Sequence, residues 1–470
     1  MQTQCNQRSF KFHPLAKREV QAQFDGGAIT SDAGGLLLRE VERCTRIIER
    51  FAACFRDHRR EEQVEHTVKE LVAQRVYALA LGYEDLNDHE QLRQDPLLAV
   101  LAGKADPTGE DRVRERDRGK ALAGTSTLNR LELTKAVVGE KERYKKISLD
   151  EAAVDRLLVD IFLEAHENPP SEIVVDLDAT DDPVHGNQEG RFFHGYYGHY
   201  CYLPLYIFCG DHLLCARLRP SNIDASAGCV DELKRIVAQI RQAWPEVKIT
   251  LRGDSGFCRE ELMVWCEANG VDFVLGLAKN ERLKAGIVSE QQQAAAEYER
   301  TGKAARLFKE FSYQTRESWS RARRVVGKAE HLEKGENPRF VVTSLSPATW
   351  EGRALYEELY CARGEMENRI KEQLMLFSDR TSTEYLRSNQ IRLYFSSAAY
   401  LLVEALRRLG LKETDLAQAH AAMIRLKLLK IGALIRITVR KVWVSLAEGY
   451  PYPELFARIY RALQAIPLRC

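Results

Sequence analysis

Asp178, Asp254 and Glu367 stand in that order in the segments IVVDLDAT, KITLRGDSGF and YCARGEMENRIK. Both aspartates close apolar, β-branched runs, Ile173 to Val175 and Val247 to Leu251, so a strand would carry each carboxylate to a sheet edge. Glu367 lies in text with helical spacing. Carboxylates on three separate elements make a hard oxygen set suited to Mg²⁺, which keeps several waters and binds phosphate oxygens. Two such ions activate an attacking oxygen and stabilise a leaving one in phosphoryl transfer. The order Asp, Asp, Glu therefore points to cutting or joining nucleic acid. An Asp just past a strand is ordinarily a cap for nearby backbone N–H groups, so each acid has a plainer reading too. Around Glu367, however, Tyr360, Arg363 and Lys371 recur at offsets of three, four and four and share one helix face. Such a stripe serves either as solvated salt bridges or as a surface for phosphate and metal, and two strand-end aspartates before it favour the second. Asp176 competes with Asp178 as the first acid, because residues two apart point to the same face of a strand. Asp181 and Asp182, beyond the strand, read as turn or capping acids.

The elements that must hold these residues follow from pattern. Strands are expected at 172–178, 200–208 and 211–218, then a helix at 226–243, a strand at 247–253, a helix at 258–269 and a strand at 271–277. Three successive strands followed by strand and helix alternation suit a ribonuclease H-like core. Before it, residues 1–168 read as a mainly helical domain ending at Asn168-Pro169-Pro170, assigned to DNA-end binding and dimerisation. The core itself is expected at 171–278 and 344–378. Between them 279–343 changes to alternating text and reads as a β-rich insertion. Within it Trp319 is flanked by Arg321, Arg323 and Arg324, so the ring belongs either to a core or to a base-stacking site. The fold class expected is α/β, with a helical N-terminal domain and a basic α/β extension at 384–470. That extension carries 14 Lys and Arg against 6 Asp and Glu, and 435–445 reads as one basic strand available to phosphates.

Composition bounds the rest. The chain has 470 residues and a formal net charge of +1, which suits several domains with local basic patches rather than a uniformly basic coat. Eleven cysteines without a CxxC pair suit a reducing cytoplasm better than a disulfide framework or zinc ribbon. Cys201, Cys209 and Cys215 fall in apolar runs, as small core residues do. No apolar leader and no run of membrane-spanning length is present in the sequence, so a soluble cytoplasmic protein without a membrane partner, nucleoid-associated when on DNA, is expected.

The third motif resembles the Tyr, two residues, Arg, three residues, Glu signature of DDE transposases. The wider text resembles the insertion sequence 1380 family through DGGAITSDAGGLLLREVE (25–42), VVDLDATDDPVHGNQEG (174–190), FFHGYYGHYCYLPLY (192–206), LRGDSGF (251–257) and YCARGEMENRIKEQ (360–373). The resemblance implies a ribonuclease H-like DDE core with Asp178, Asp254 and Glu367 as catalytic acids and ligands of two Mg²⁺ ions, Mn²⁺ standing in for them. It favours Asp178 over Asp176, since the family pattern of Asp, any residue, Thr is met by Asp178-Ala179-Thr180. It also implies double-stranded DNA as partner, both terminal inverted repeats and target, a homodimer in the synaptic complex, and DNA contacts from Tyr360, Arg363, Lys371 and, within the β insertion, Trp319. The broader signature has a Lys seven residues after the Glu, where this chain has Leu374 and offers Lys371 one turn earlier. A nuclease without strand transfer would use the same acids. A noncatalytic DNA-binding regulator would have lost one of them.

Overall fold

The computed structural model describes residues 9–138 and 146–467. They form two compact units, one of the described residues up to 149 with those from 405 onward and one of residues 150–404. The expected boundaries at 168 and 384 are thus not those of the units, and the outer ends of both expected terminal regions lie outside the described residues.

The 150–404 unit is built on a nine-stranded mixed sheet. Its first part comprises β1 (Glu172–Ala179), β2 (Leu205–Cys209), β3 (His212–Arg217), helix α1 (Cys229–Ala243), β4 (Lys248–Gly253), α2 (Glu260–Ala268) and β5 (Asp272–Leu277). β2 runs antiparallel to β1 and to β3, while β4 is parallel to β1 and to β5. The spatial order β3-β2-β1-β4-β5, with only the second strand reversed, is that of a ribonuclease H-like sheet. The expected 200–208 strand is two elements, because Leu203-Pro204 interrupts pairing and Pro lacks the ladder donor. His199–Tyr202 turns away into a small sheet with Asp182–Pro183 and Phe192–His194.

Period two sorts the sheet's side chains. Ile173, Val175 and Leu177 of β1 join Ile249 and Leu251 of β4 and Leu233, Ile236 and Ile240 of α1 in the main core. Val174 packs on the opposite face with Val274, Leu355, Tyr356 and Leu359, and Asp176 and Asp178 share that second face by their spacing. The expected insertion at 279–343 is continuous with this sheet. Its strands β6 (Ala305–Tyr313), β7 (Arg323–Leu332) and β8 (Arg339–Thr343) extend it past β5 through the antiparallel β5–β8 pair. A helical run follows, with a π-helical stretch at Leu355–Tyr360 leading through Cys361–Arg363 into α3 (Gly364–Met375).

In the other unit the two ends of the chain interlock. Ile29–Thr30 pairs with Ala433–Ile437, and a Cβ at Gly34 would lie 1.8 Å from the Leu428 carbonyl, so only glycine lets the segments cross. Asp32 meets Lys430 at 2.6 Å and accepts a hydrogen bond from the Tyr83 hydroxyl at 2.6 Å. The 25–42 motif therefore works in packing. The expected single strand at 435–445 is a hairpin of Ala433–Ile437 and Val442–Leu446: the Thr438 hydroxyl binds both the N–H and the carbonyl of Lys441 and closes a turn that alternation alone does not reveal. Among the described residues no helix is long and apolar enough to cross a membrane.

Candidate active site

Strand register brings the first two acids together. Gly253 pairs with Leu177 in the parallel β1–β4 ladder, so Asp254, the next residue, lies abreast of Asp178 on a neighbouring strand about 4.8 Å away. Asp254 also caps the turn at Ser255–Phe257, accepting from the Gly256 N–H at 2.8 Å, and Asp178 accepts from the Ala179 N–H at 2.9 Å. Both aspartates thus do the capping work their position suggests and still present an oxygen to the cleft.

The third acid reaches them through Arg363. Its guanidinium lies 3.3 Å from Asp178 Oδ2 and 2.8 Å from Glu367 Oε1, bridging strand and helix. The π-helical stretch before it is the sort of helix irregularity found at functional sites. It ends at Tyr360, whose hydroxyl would lie 2.6 Å from a Cβ at Gly276, with the Ser255 N at 2.9 Å. A bare backbone on β5 is what lets helix, turn and strand converge here. A glycine inside a strand marks such an approach, and that signal was open to reading in VLGL.

A cleft of about 610 Å³ opens over Asp178, Asp254, Arg363, Glu367 and Lys371. A second, of about 430 Å³, shares Asp254, Ser255 and Arg363 and continues past Lys279, Arg339 and Tyr360. Lys371 lines the first cleft and Lys279 and Arg339 the second, and the last two went unnoticed in the sequence because neither sits in a motif. Leu374, at the family's Lys position, lines the first cleft beside Lys371.

Burial pushes the Asp178 carboxyl up to about 6; Arg363 pulls it down, while Asp254 and Glu367 push it further up. Tyr197, also lining the first cleft, is pushed up to about 12 by burial and then by the charges of Asp181 and Asp178. Among the described residues no three His, Cys, Asp or Glu side chains stand close enough to hold an ion in this arrangement. The donor chemistry nevertheless fits a hard divalent cation: oxygen ligands only, with the Arg363 cation between two of them.

Three expectations need correction. Asp176 is 3% exposed and paired with Arg252, whose Nη2 is 2.7 Å from Asp176 Oδ2 and whose Nη1 donates to the Leu359 carbonyl at 2.6 Å. Its oxygens are spent under the helical run, so it is a poor alternative for the first acid. Trp319 is 5% exposed and belongs to the main core, edge-on to Tyr313 at 5.7 Å. Its basic neighbours are paired: Arg321 with Glu267, Arg323 with Glu260 and Glu267, and Arg324 with Glu310. The ring has no free face for a base. Asp181 and Asp182 are not simple turn acids either. Asp181 pairs with His199 at 2.8 Å, and Asp182 is 3% exposed within a short strand, where burial pushes its carboxyl up to about 8 against the pull of Thr381.

The family model for the transposase DDE domain, group 1, matches residues 12–468. The chain belongs to that family, and the family is one of transposases. No curated protein matches it. Among solved structures it is similar to the piggyBac transposase synaptic complex with hairpin DNA, determined by cryo-EM, at 11% identity and a TM-score of 0.38, over 85% of this chain and 80% of that one.

Proposed function

We propose that this member of the transposase DDE family, of the insertion sequence 1380 type, binds double-stranded DNA at the terminal inverted repeats of its element. It cuts the ends there and joins the freed 3′ hydroxyl to target DNA. The observation that carries the reading is the register placing Asp254 abreast of Asp178, with Glu367 tied to Asp178 by Arg363.

Asp178, Asp254 and Glu367 would hold Mg²⁺ in two sites, with Mn²⁺ able to replace it, and the bound metal supplies activation of the attacking hydroxyl and neutralisation of the leaving oxygen. Asp178 serves as its carboxylate, the charged form that a cation favours and that burial beside Asp254 and Glu367 disfavours. Arg363 is then free to turn its fork to the phosphate bidentately. Tyr360, held beside the Asp254 turn, offers its hydroxyl to the same phosphate, and Lys371 adds a point charge along the cleft. Because the chemistry needs no covalent enzyme intermediate, water and a DNA hydroxyl can use one site in turn. Synapsis of two ends would engage two copies of the chain.

The test is Mg²⁺-dependent cleavage and strand transfer on DNA carrying the sequences that flank the coding region. Asp254→Asn should bind that DNA but neither cut nor join it. Wild-type cutting by this variant would defeat the assignment. Cut products that are never joined would instead indicate a nuclease.

A further inference from the structure

The FFHGYYGHY segment beside the acids has no part in the mechanism above, yet it carries a dense run of aromatic side chains. Phe192–His194 and His199–Tyr202 pair antiparallel, with Phe193 opposite Tyr200. Gly198 closes the turn with a φ of +76° and donates its N–H to the His194 carbonyl at 2.8 Å. That geometry lifts Tyr196 and Tyr197 to the tip. Tyr196 is 87% exposed, Phe193 58% and Tyr200 47%. The rings hold one another edge-on, Phe193 with Tyr200 at 5.7 Å and Tyr196 with Tyr197 at 5.0 Å, and the Arg191 guanidinium lies 4.6 Å from the Tyr200 ring. His194, Tyr196 and Tyr197 line the same cleft as Asp178, Asp254 and Glu367.

Single exposed apolar residues need no explanation, but a contiguous exposed patch at the edge of a polar cleft marks a binding surface. We propose that this hairpin is a stacking platform for unpaired nucleotides of the DNA strand whose phosphate lies at the acids, an inference that rests on the function proposed above. Three observations select that occupant. Aromatic faces with a neighbouring guanidinium suit bases whose own faces are free, and bases within a duplex have theirs covered by stacking. The platform continues into the acid-lined cleft, so a strand at the acids reaches it without leaving the surface. Beyond Asp254 the second cleft offers Lys279 and Arg339 to phosphates. One strand can thus run from cations, across the acids, to aromatic rings, with bases unpaired only at the last.

The experiment compares two DNAs with the full chain: an end duplex fully paired, and the same duplex ending in a short oligothymidine overhang. Tyr196→Ala should weaken binding of the overhang DNA by about 5- to 150-fold and that of the paired DNA by less than about twofold, while Tyr196→Trp restores the difference. Because Tyr196 is so exposed, its melting temperature should match wild type. Equal loss on both DNAs, no loss on either, or a wild type indifferent to the overhang overturns the platform. Loss of self-association in Tyr196→Ala with overhang selectivity intact also overturns it and gives the surface to a second copy. Tyr196-dependent overhang binding by a protein that cuts no end DNA would leave the platform standing and remove the transposition reading instead.

Discussion

Asp176 and Asp178 lie two residues apart on one strand, on one face, and each meets an arginine, yet the two regions around them have opposite natures. Asp176 and Arg252 are sealed beneath the helical run, with side-chain exposures of 4% and 7%, and Arg252 Nη1 donates to the Leu359 carbonyl. Asp178 and Arg363 stand at 16% and 21%, and the same guanidinium reaches Glu367, which is 47% exposed. A buried pair in which both carboxylate oxygens already face one guanidinium is closed to a ligand from solvent. A pair at a cleft, shared with a second carboxylate, keeps carboxylate oxygens facing open space. The difference teaches that an acid's availability depends on what lies above it, two side-chain layers from its own strand.

The largest effect expected from this contrast is on chemistry. Asp178→Asn should lower the cleavage rate on the order of 10³-fold or more, the scale on which groups aimed at transition-state charge act, with the unfolding midpoint little changed. Asp176→Asn should do the reverse: breaking a buried pair from one side costs about 3–5 kcal/mol, visible in urea unfolding, and residual folded protein should still cut. A stable Asp176→Asn that fails to cut would invert the assignment of the first acid.

Trp319 extends the comparison to a second sealed site. Trp319→Ala should cost about 3–5 kcal/mol and depress every DNA step in proportion to the folded fraction. Undiminished melting with a selective defect after the first nick would return the ring to the DNA.

An effect seen only as a dependence on pH is expected at Asp182. Its folded-state pKa near 8 exceeds the ordinary carboxylate value, so the folded chain keeps a proton that the unfolded chain releases. Stability from this group should therefore fall as pH rises from about 4 to 8 and level off above. Asp182→Asn lacks that proton and should lose this slope, gaining in melting temperature over wild type at pH 8 and little at pH 4. Parallel declines in both proteins would show that Asp182 ionises without penalty.

Much of the site could be read locally. Apolar runs ending in Asp, the Tyr, Arg, Glu, Lys stripe and the succession of strands and helices up to residue 277 depend on residues near one another in the chain, and apart from the split at Leu203-Pro204 the elements follow in that succession. The turn at Thr438 to Lys441 was missed because strict alternation continues across it. The interlocking of residues 25–42 with the C-terminal segment was missed because neither partner carries a sign of the other until Gly34 is set against the Leu428 carbonyl.

By itself the sequence determined which residues could share a face: Asp176 with Asp178 by the two-residue repeat of a strand, and Arg363 with Glu367 by the helical turn. Only the tertiary structure decided which of those faces is open. Arg252 compensates Asp176 from a neighbouring strand 76 positions away, and Glu260 and Glu267 neutralise the arginine beside Trp319 from 63 and 56 positions away. Side-chain direction is set by backbone periodicity within a few residues, whereas desolvation and charge pairing depend on atoms that the fold brings in from elsewhere.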